Sequence, residues 1–144
     1  MPINPYLTFD GNAREAATYY AQIFETEPPQ FMTYGDMGED PNYPLPEGAR
    51  DRIMHTRILI DGTPLMFSDT FPGMDQGMAF TRGTNFNLTI TGTNRAKMTR
   101  QFNALASEGT VTMPLQETSW SKMYGALRDK FGIEWQFSMD EGLE

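Results

Sequence analysis

The chain has 144 residues, ten Phe, eleven Met and two Trp, enough bulky apolar material for a folded core without staples. It has no cysteine, which excludes disulfides, thiol catalysis and thiolate metal sites. Nineteen acidic residues face eleven scattered basic ones, a net charge of −8, so nucleic acid and anionic membranes are excluded as partners and the acidity serves solubility.

No apolar run approaches the length of a membrane span, and Met1 to Pro5 lacks the basic and apolar regions of a secretory signal. A cytoplasmic location is therefore expected.

Ile3 to Phe9 alternates as a short strand, with Leu7 and Phe9 on one face and Tyr6 and Thr8 on the other. Asp10-Gly11-Asn12 follows as a turn, and Asn12 with Glu15 has the spacing of a capping box. The helix carries Ala13, Ala16, Ala17, Tyr20, Ile23 and Phe24 on one stripe and stops before Pro28-Pro29. Gln30 to Tyr34 is predicted as a second strand and residues 35–51 as a surface loop. Arg52 to Ile60 and Thr63 to Asp69 flank Asp61-Gly62, a strong hairpin signal. Residues 70–83 read as a link, whose Met74 and Met78 suit a cover or an interface.

The order then restarts. Asn85 to Ile90 is predicted as a strand, followed by the turn Thr91-Gly92-Thr93 and a helix with Met98, Phe102 and Leu105 on its stripe, ending near Gly109. Thr110 to Gln116, Lys122 to Arg128 and Ile133 to Ser138 complete the chain as strands. The pattern is β-α-β-β-β twice: an α+β fold with one module at about 3–69 and another at about 84–140, within one domain. Leu7 to Gly11 aligns with Leu88 to Gly92 at an offset of 81, and Phe67-Ser68 with Phe137-Ser138 at an offset of 70.

Alternation assigns the faces. Phe86, Leu88 and Ile90 should pack on a helix, leaving Asn85, Asn87 and Thr89 opposite. Ile133, Trp135 and Phe137 likewise face inward, with Glu134, Gln136 and Ser138 opposite. His55 and Arg57 lie opposite Ile58 and Ile60, and Met66 and Ser68 opposite Leu65 and Phe67. Such polar faces meet solvent in many antiparallel sheets, or line a cleft between two similar sheets.

The segment Asn4 to Ala13, the hairpin His55 to Asp69 with its Leu65-Met66-Phe67-Ser68-Asp69, and the ending Trp120, Tyr124-Gly125, Asp129, Phe131-Gly132, Trp135 together resemble the PhnB-like branch of the glyoxalase/bleomycin resistance/dioxygenase (vicinal oxygen chelate) superfamily. The resemblance spans nearly the whole chain. It implies two βαβββ modules whose curved sheets enclose a cleft, commonly in a homodimer. Some members carry a demethylubiquinone methyltransferase label, but no Gly-rich strand-to-helix loop suited to S-adenosylmethionine is visible here. Metal-dependent members place His or Glu at four positions, which the repeat alignment carries onto Asn4, Met66, Asn85 and Gln136. Neutral amides and a thioether are a poor set for a divalent transition metal, so no metal and no other cofactor is expected.

The amides suit hydrogen bonds to a small-molecule ligand instead. Candidate ligand-binding residues are Asn4, Tyr6, His55, Arg57, Met66, Asn85, Asn87, Trp120, Tyr124 and Gln136. His55, the lone histidine, is the candidate proton donor or acceptor, and Arg57 the candidate anion contact. The leading expectation is a metal-independent small-molecule-binding protein. Two alternatives stay open: a lyase, isomerase or dioxygenase with a metal near His55 and acids such as Asp69, and a resistance protein that sequesters a cationic antibiotic.

Overall fold

The computed structural model describes residues 1–38, 40–71 and 80–140. The predicted roles of Met74 and Met78 fall outside these residues. The chain divides into two compact units, Met1–Thr81 and Arg82–Glu144.

The first unit runs β1 (Tyr6–Phe9), α1 (Ala13–Ile23), β2 (Met32–Thr33), β3 (Ile53–Ile60) and β4 (Thr63–Asp69), with a 3₁₀ turn at Gly35–Met37. The second runs β5 (Leu88–Gly92), α2 (Arg95–Ala106), β6 (Thr110–Gln116), β7 (Tyr124–Arg128) and β8 (Glu134–Met139). Their sheets have one topology, β1-β4-β3-β2 and β5-β8-β7-β6. In each, the strand before the helix pairs in parallel with the last strand and the remaining pairs are antiparallel. The doubled β-α-β-β-β order predicted from sequence is thus an α+β fold of two matching four-stranded sheets.

Each sheet closes one face on its own helix. Ala13, Ala16, Ala17, Tyr20 and Phe24 of the predicted stripe are buried, against Leu7, Phe9, Ile53, Ile58, Leu65 and Phe67; Ile23 is only half-buried, and Ala21 takes its place. In the second unit Met98, Phe102 and Leu105 meet Leu127, Trp135 and Phe137. The hairpin turns as predicted: Asp61 (φ 49°) and Gly62 (φ 84°) give the left-handed pair of a type I′ turn.

The structure differs from the sequence reading at four places. Asn12 makes no side-chain cap. The carboxylate of Asp69, at the end of β4, accepts the N–H groups of Gly11 and Ala13 at 2.9 Å each and closes the helix start instead. The second strand shrinks to Met32–Thr33. An extra residue in β3 opposite it shifts the register, so the buried positions run Ile53, Thr56, Ile58 rather than in strict alternation.

The fourth difference concerns β5, which starts at Leu88, not Asn85. Its partner β8 begins only at Glu134, one residue before Trp135 meets Leu88, so Phe86 has no strand beside it among the described residues and is 62% exposed.

Candidate functional site

The face of the first sheet turned away from α1 carries a row set by strand register. Tyr6 of β1 stands opposite Met66 of β4, and Met66 opposite Arg57 of β3. His55, two residues before Arg57, completes the group. Its ring centroid lies 5.9 Å from that of Tyr6, and the Tyr6 hydroxyl is 3.4 Å from its Nδ1. When that hydroxyl donates, the imidazole proton sits on Nε2, leaving a donor for a third party. Among the described residues Arg57 has no ion-pair or hydrogen-bond partner. Four predicted residues are therefore brought together, while Asn4, half-buried, precedes the row in the chain.

The second sheet repeats the pattern with different chemistry. Thr89 stands opposite Gln136, and Gln136 opposite Ala126. Tyr124 pairs with Ser138, and the Trp120 ring packs edge-on against Tyr124 at 5.4 Å. Arg128 is bound by Glu134 directly across the strands, so the one cation of this row is already paired. Trp120, Tyr124 and Gln136 thus share one neighbourhood. Asn85 and Asn87 are exposed and lie before β5.

Register also corrects the repeat. If Met66 corresponds to Gln136, then Tyr6 corresponds to Thr89 and Asn4 to Asn87, two residues beyond the predicted Asn85. The expected set of four positions becomes Asn4, Met66, Asn87 and Gln136, which still offers two carboxamides of Asn, one of Gln and a thioether. That donor set does not fit a divalent transition metal, and no group of three or more His, Asp or Glu among the described residues is placed to hold one. The alternative site pairing His55 with Asp69 is excluded by direction. Asp69 lies on the helix side with Phe67, 3% exposed, and its oxygens are taken by Gly11, Ala13 and the N–H of Ile53 at 2.9 Å.

A depression of about 440 Å³ opens beside β3, lined by Glu27, Pro28, Gln30, His55, Arg57 and Leu59, with Thr56 and Ile58 beneath. Sequence reasoning missed Gln30, Pro28 and Leu59 as lining residues, because the gap depends on where β2 stops.

The residues that carried the family resemblance serve the frame. Asp129 Oδ1 accepts the N–H groups of Phe131 and Ile133, and its Oδ2 accepts the indole N–H of Trp135 at 2.8 Å. Gly132 takes φ +85° within that turn. Asp10 is held by Thr70 and Arg52, and its carboxyl sits below the usual range, first through the Thr70 hydroxyl and then through Arg52.

Residues 2–138 match the family model described as 3-demethylubiquinone-9 3-methyltransferase. The chain belongs to this PhnB-like family. Protein PA1353 of Pseudomonas aeruginosa is 32% identical with a TM-score of 0.79, over 97% of this chain and 98% of that one. A putative 3-demethylubiquinone-9 3-methyltransferase, PhnB protein, from Bacillus cereus is 26% identical with a TM-score of 0.71, over 97% of this chain and all (100%) of that one. A glyoxylase/bleomycin resistance protein/dioxygenase domain from Frankia shares the fold, at 16% identity and a TM-score of 0.60, over 99% of this chain and 94% of that one. The PhnB-like chain has, among its described residues, no helix long and apolar enough to cross a membrane.

Proposed function

We propose that this PhnB-like protein binds a small molecule without a metal, on the face of its first sheet turned away from α1. The observation that carries the reading is the Tyr6–His55 contact beside an Arg57 that has no partner among the described residues. It gathers an oriented imidazole, a guanidinium and the adaptable Met66 on one surface. Asn4 extends that face, and Asn85, Asn87, Trp120, Tyr124 and Gln136 are the corresponding candidates of the second unit. A homodimer in the cytoplasm is the working assembly under this reading. Support for the dimer is the exposure of two large aromatic side chains of the second unit, Phe86 (62%) and Trp120 (64%).

The 3-demethylubiquinone-9 3-methyltransferase activity named for the Bacillus relative finds little support in this chain if S-adenosylmethionine is its methyl donor. The β1–α1 joint is Asp10-Gly11-Asn12, and the N–H groups of Gly11 and Ala13 there are consumed by Asp69. The β5–α2 joint is closed by Asn94, whose side chain accepts from the Lys97 N–H. Each helix start thus has part of its N–H set already held by a side chain of the protein, and neither is preceded by a Gly-rich loop.

A thermal-shift screen against a small-molecule library tests the reading. A compound should raise the melting temperature of the natural protein and lose that effect in Arg57→Gln and His55→Ala. No compound doing so would sink it. Stoichiometric Zn, Fe, Mn or Ni in the purified protein, lost in His55→Ala, would instead establish the metal-dependent alternative.

A further inference from the structure

The depression beside β3 has a main-chain wall with a definite polarity. A two-residue type I′ turn makes Ile60 and Thr63 a hydrogen-bonded pair. From there Ile60, Ile58 and Thr56 direct their N–H and C=O toward β4, opposite Thr63, Leu65 and Phe67. Arg57 and Leu59 must then direct theirs the other way. On that side β2 pairs only with Ile53 and His55. Two N–H and two C=O groups of β3 therefore look into the depression with no strand beyond them among the described residues.

The opposite wall explains why the gap stays open. Pro28 and Pro29 have no N–H and cannot extend β2 back along β3. The wall is nonetheless fixed, because the Thr56 hydroxyl donates to the Gln30 carbonyl at 2.8 Å and Thr56 is 2% exposed. A volume of about 440 Å³ lies between the two walls, within the range of small-ligand pockets. Three residues of extended chain span about 10 Å, and His55 to Leu59 about 13 Å.

We propose that the β3 edge at Arg57–Leu59 adds a short extended peptide ending in a carboxylate as a further strand. The peptide main chain supplies the missing partners for Arg57 and Leu59. Its carboxylate takes the Arg57 guanidinium in a paired, charge-assisted contact. Glu27 on the far wall repels a second negative charge, so the favoured ligand carries one. This inference rests on the first sheet being the ligand-binding surface and names the class of ligand that surface takes.

The test is titration of the ¹⁵N-labelled protein with acetyl-trialanine, its C-terminal amide and its N-methylated form. Saturable shifts should centre on the amides of Arg57 and Leu59. The C-terminal amide and the N-methylated peptide should each bind about tenfold more weakly. Arg57→Gln should abolish the preference for the free carboxylate. Leu59→Pro should remove binding while the Trp135 indole signal stays in place, since the Leu59 N–H takes no part in the β3–β4 ladder.

Unmoved Arg57 and Leu59 amides overturn the proposal, as does equal binding of the N-methylated peptide. Concentration-dependent protection of those amides without peptide also overturns it, because a second copy would then cover the edge. A screening compound that shifts Tyr6 and Met66 but leaves Arg57 and Leu59 unmoved would leave the small-molecule reading standing and dismiss strand addition alone.

Discussion

Asp69 Oδ1 lies 2.9 Å from the backbone nitrogen of Ala13, 56 residues earlier in the chain, so the last strand of the first unit closes its first helix. The same carboxylate holds Gly11 and Ile53, and the main-chain carbonyl of Asp69 accepts the Tyr34 hydroxyl at 3.0 Å. One residue thereby joins β1, α1, β3 and the segment after β2.

Asp69→Asn can keep its one acceptor oxygen on Gly11 and Ala13 but then turns an amide donor onto the Ile53 N–H, which needs an acceptor. The site is buried, so the mismatch cannot be relieved by water, and the variant should lose about 3 kcal/mol of stability. Denaturant unfolding checks this: the midpoint should fall with little change in slope. A midpoint within error of the natural protein would mean that Asp69 is not the tie between helix and sheet.

Asp129 plays a comparable part in the second unit, where it binds two loop N–H groups and the Trp135 indole. Trp135 is 1% exposed while Trp120 is 64% exposed, so tryptophan fluorescence separates them. Asp129→Asn should cost about 2 kcal/mol and alter the buried emission component. A double-mutant cycle with Trp135→Phe should give coupling of about 1 to 2 kcal/mol between the two side chains. Additive losses would sink the pairing.

These two carboxylates show what was legible in the sequence and what was not. The hairpin at Asp61-Gly62, the apolar stripes of α1 and α2 and the doubled element order are local signals, each written in spacing or turn chemistry. The cap supplied by Asp69 is not local, and Asn12 with Glu15 gave a convincing but unused substitute. Leu65 to Asp69 and Asp129 to Trp135 marked the family without revealing that they act as internal ties. The face of Tyr6, His55, Arg57 and Met66 followed from alternation. The depression at its edge did not, because it depends on an extra residue in β3 and on two prolines that stop β2.

Asp10 gives a pH prediction. Its carboxyl is held below the ordinary value by the Thr70 hydroxyl at 2.6 Å, then by Arg52. A folded-state pKa below the unfolded one adds stability above the unfolded value, near 3.9, and that gain is lost as pH falls through the folded value. Thr70→Val should raise the Asp10 titration midpoint, read by NMR of its carboxyl carbon. It should also reduce stability near neutral pH, with the gap from the natural protein narrowing as pH drops into the acid range. A gap constant down to full protonation would show that Thr70 acts through something other than this carboxylate.

Two glycines separate a soft obstacle from a hard one. A Cβ on Gly125 would meet Leu115 Cδ2 at 2.8 Å and Phe102 Cε2 at 2.9 Å, both side-chain atoms. Phe102 is held edge-on to Phe137 at 5.5 Å, so it yields only by disturbing the core of the second unit. Gly125→Ala should therefore cost about 2 kcal/mol, as overpacking usually does. A Cβ on Gly109 would collide with the Arg128 carbonyl oxygen and lie 3.0 Å from Asp129 Cα and the Leu105 carbonyl oxygen. Those are backbone atoms of β7, its following turn and α2, and no rotamer change moves them. Gly109→Ala should lose more stability than Gly125→Ala and should weaken the Asp129–Trp135 contact that begins beside it. Chemical denaturation ranks the two, and tryptophan emission reports the contact. If Gly109→Ala is the milder substitution, the close approach of α2 to the β7–β8 turn is not rigid.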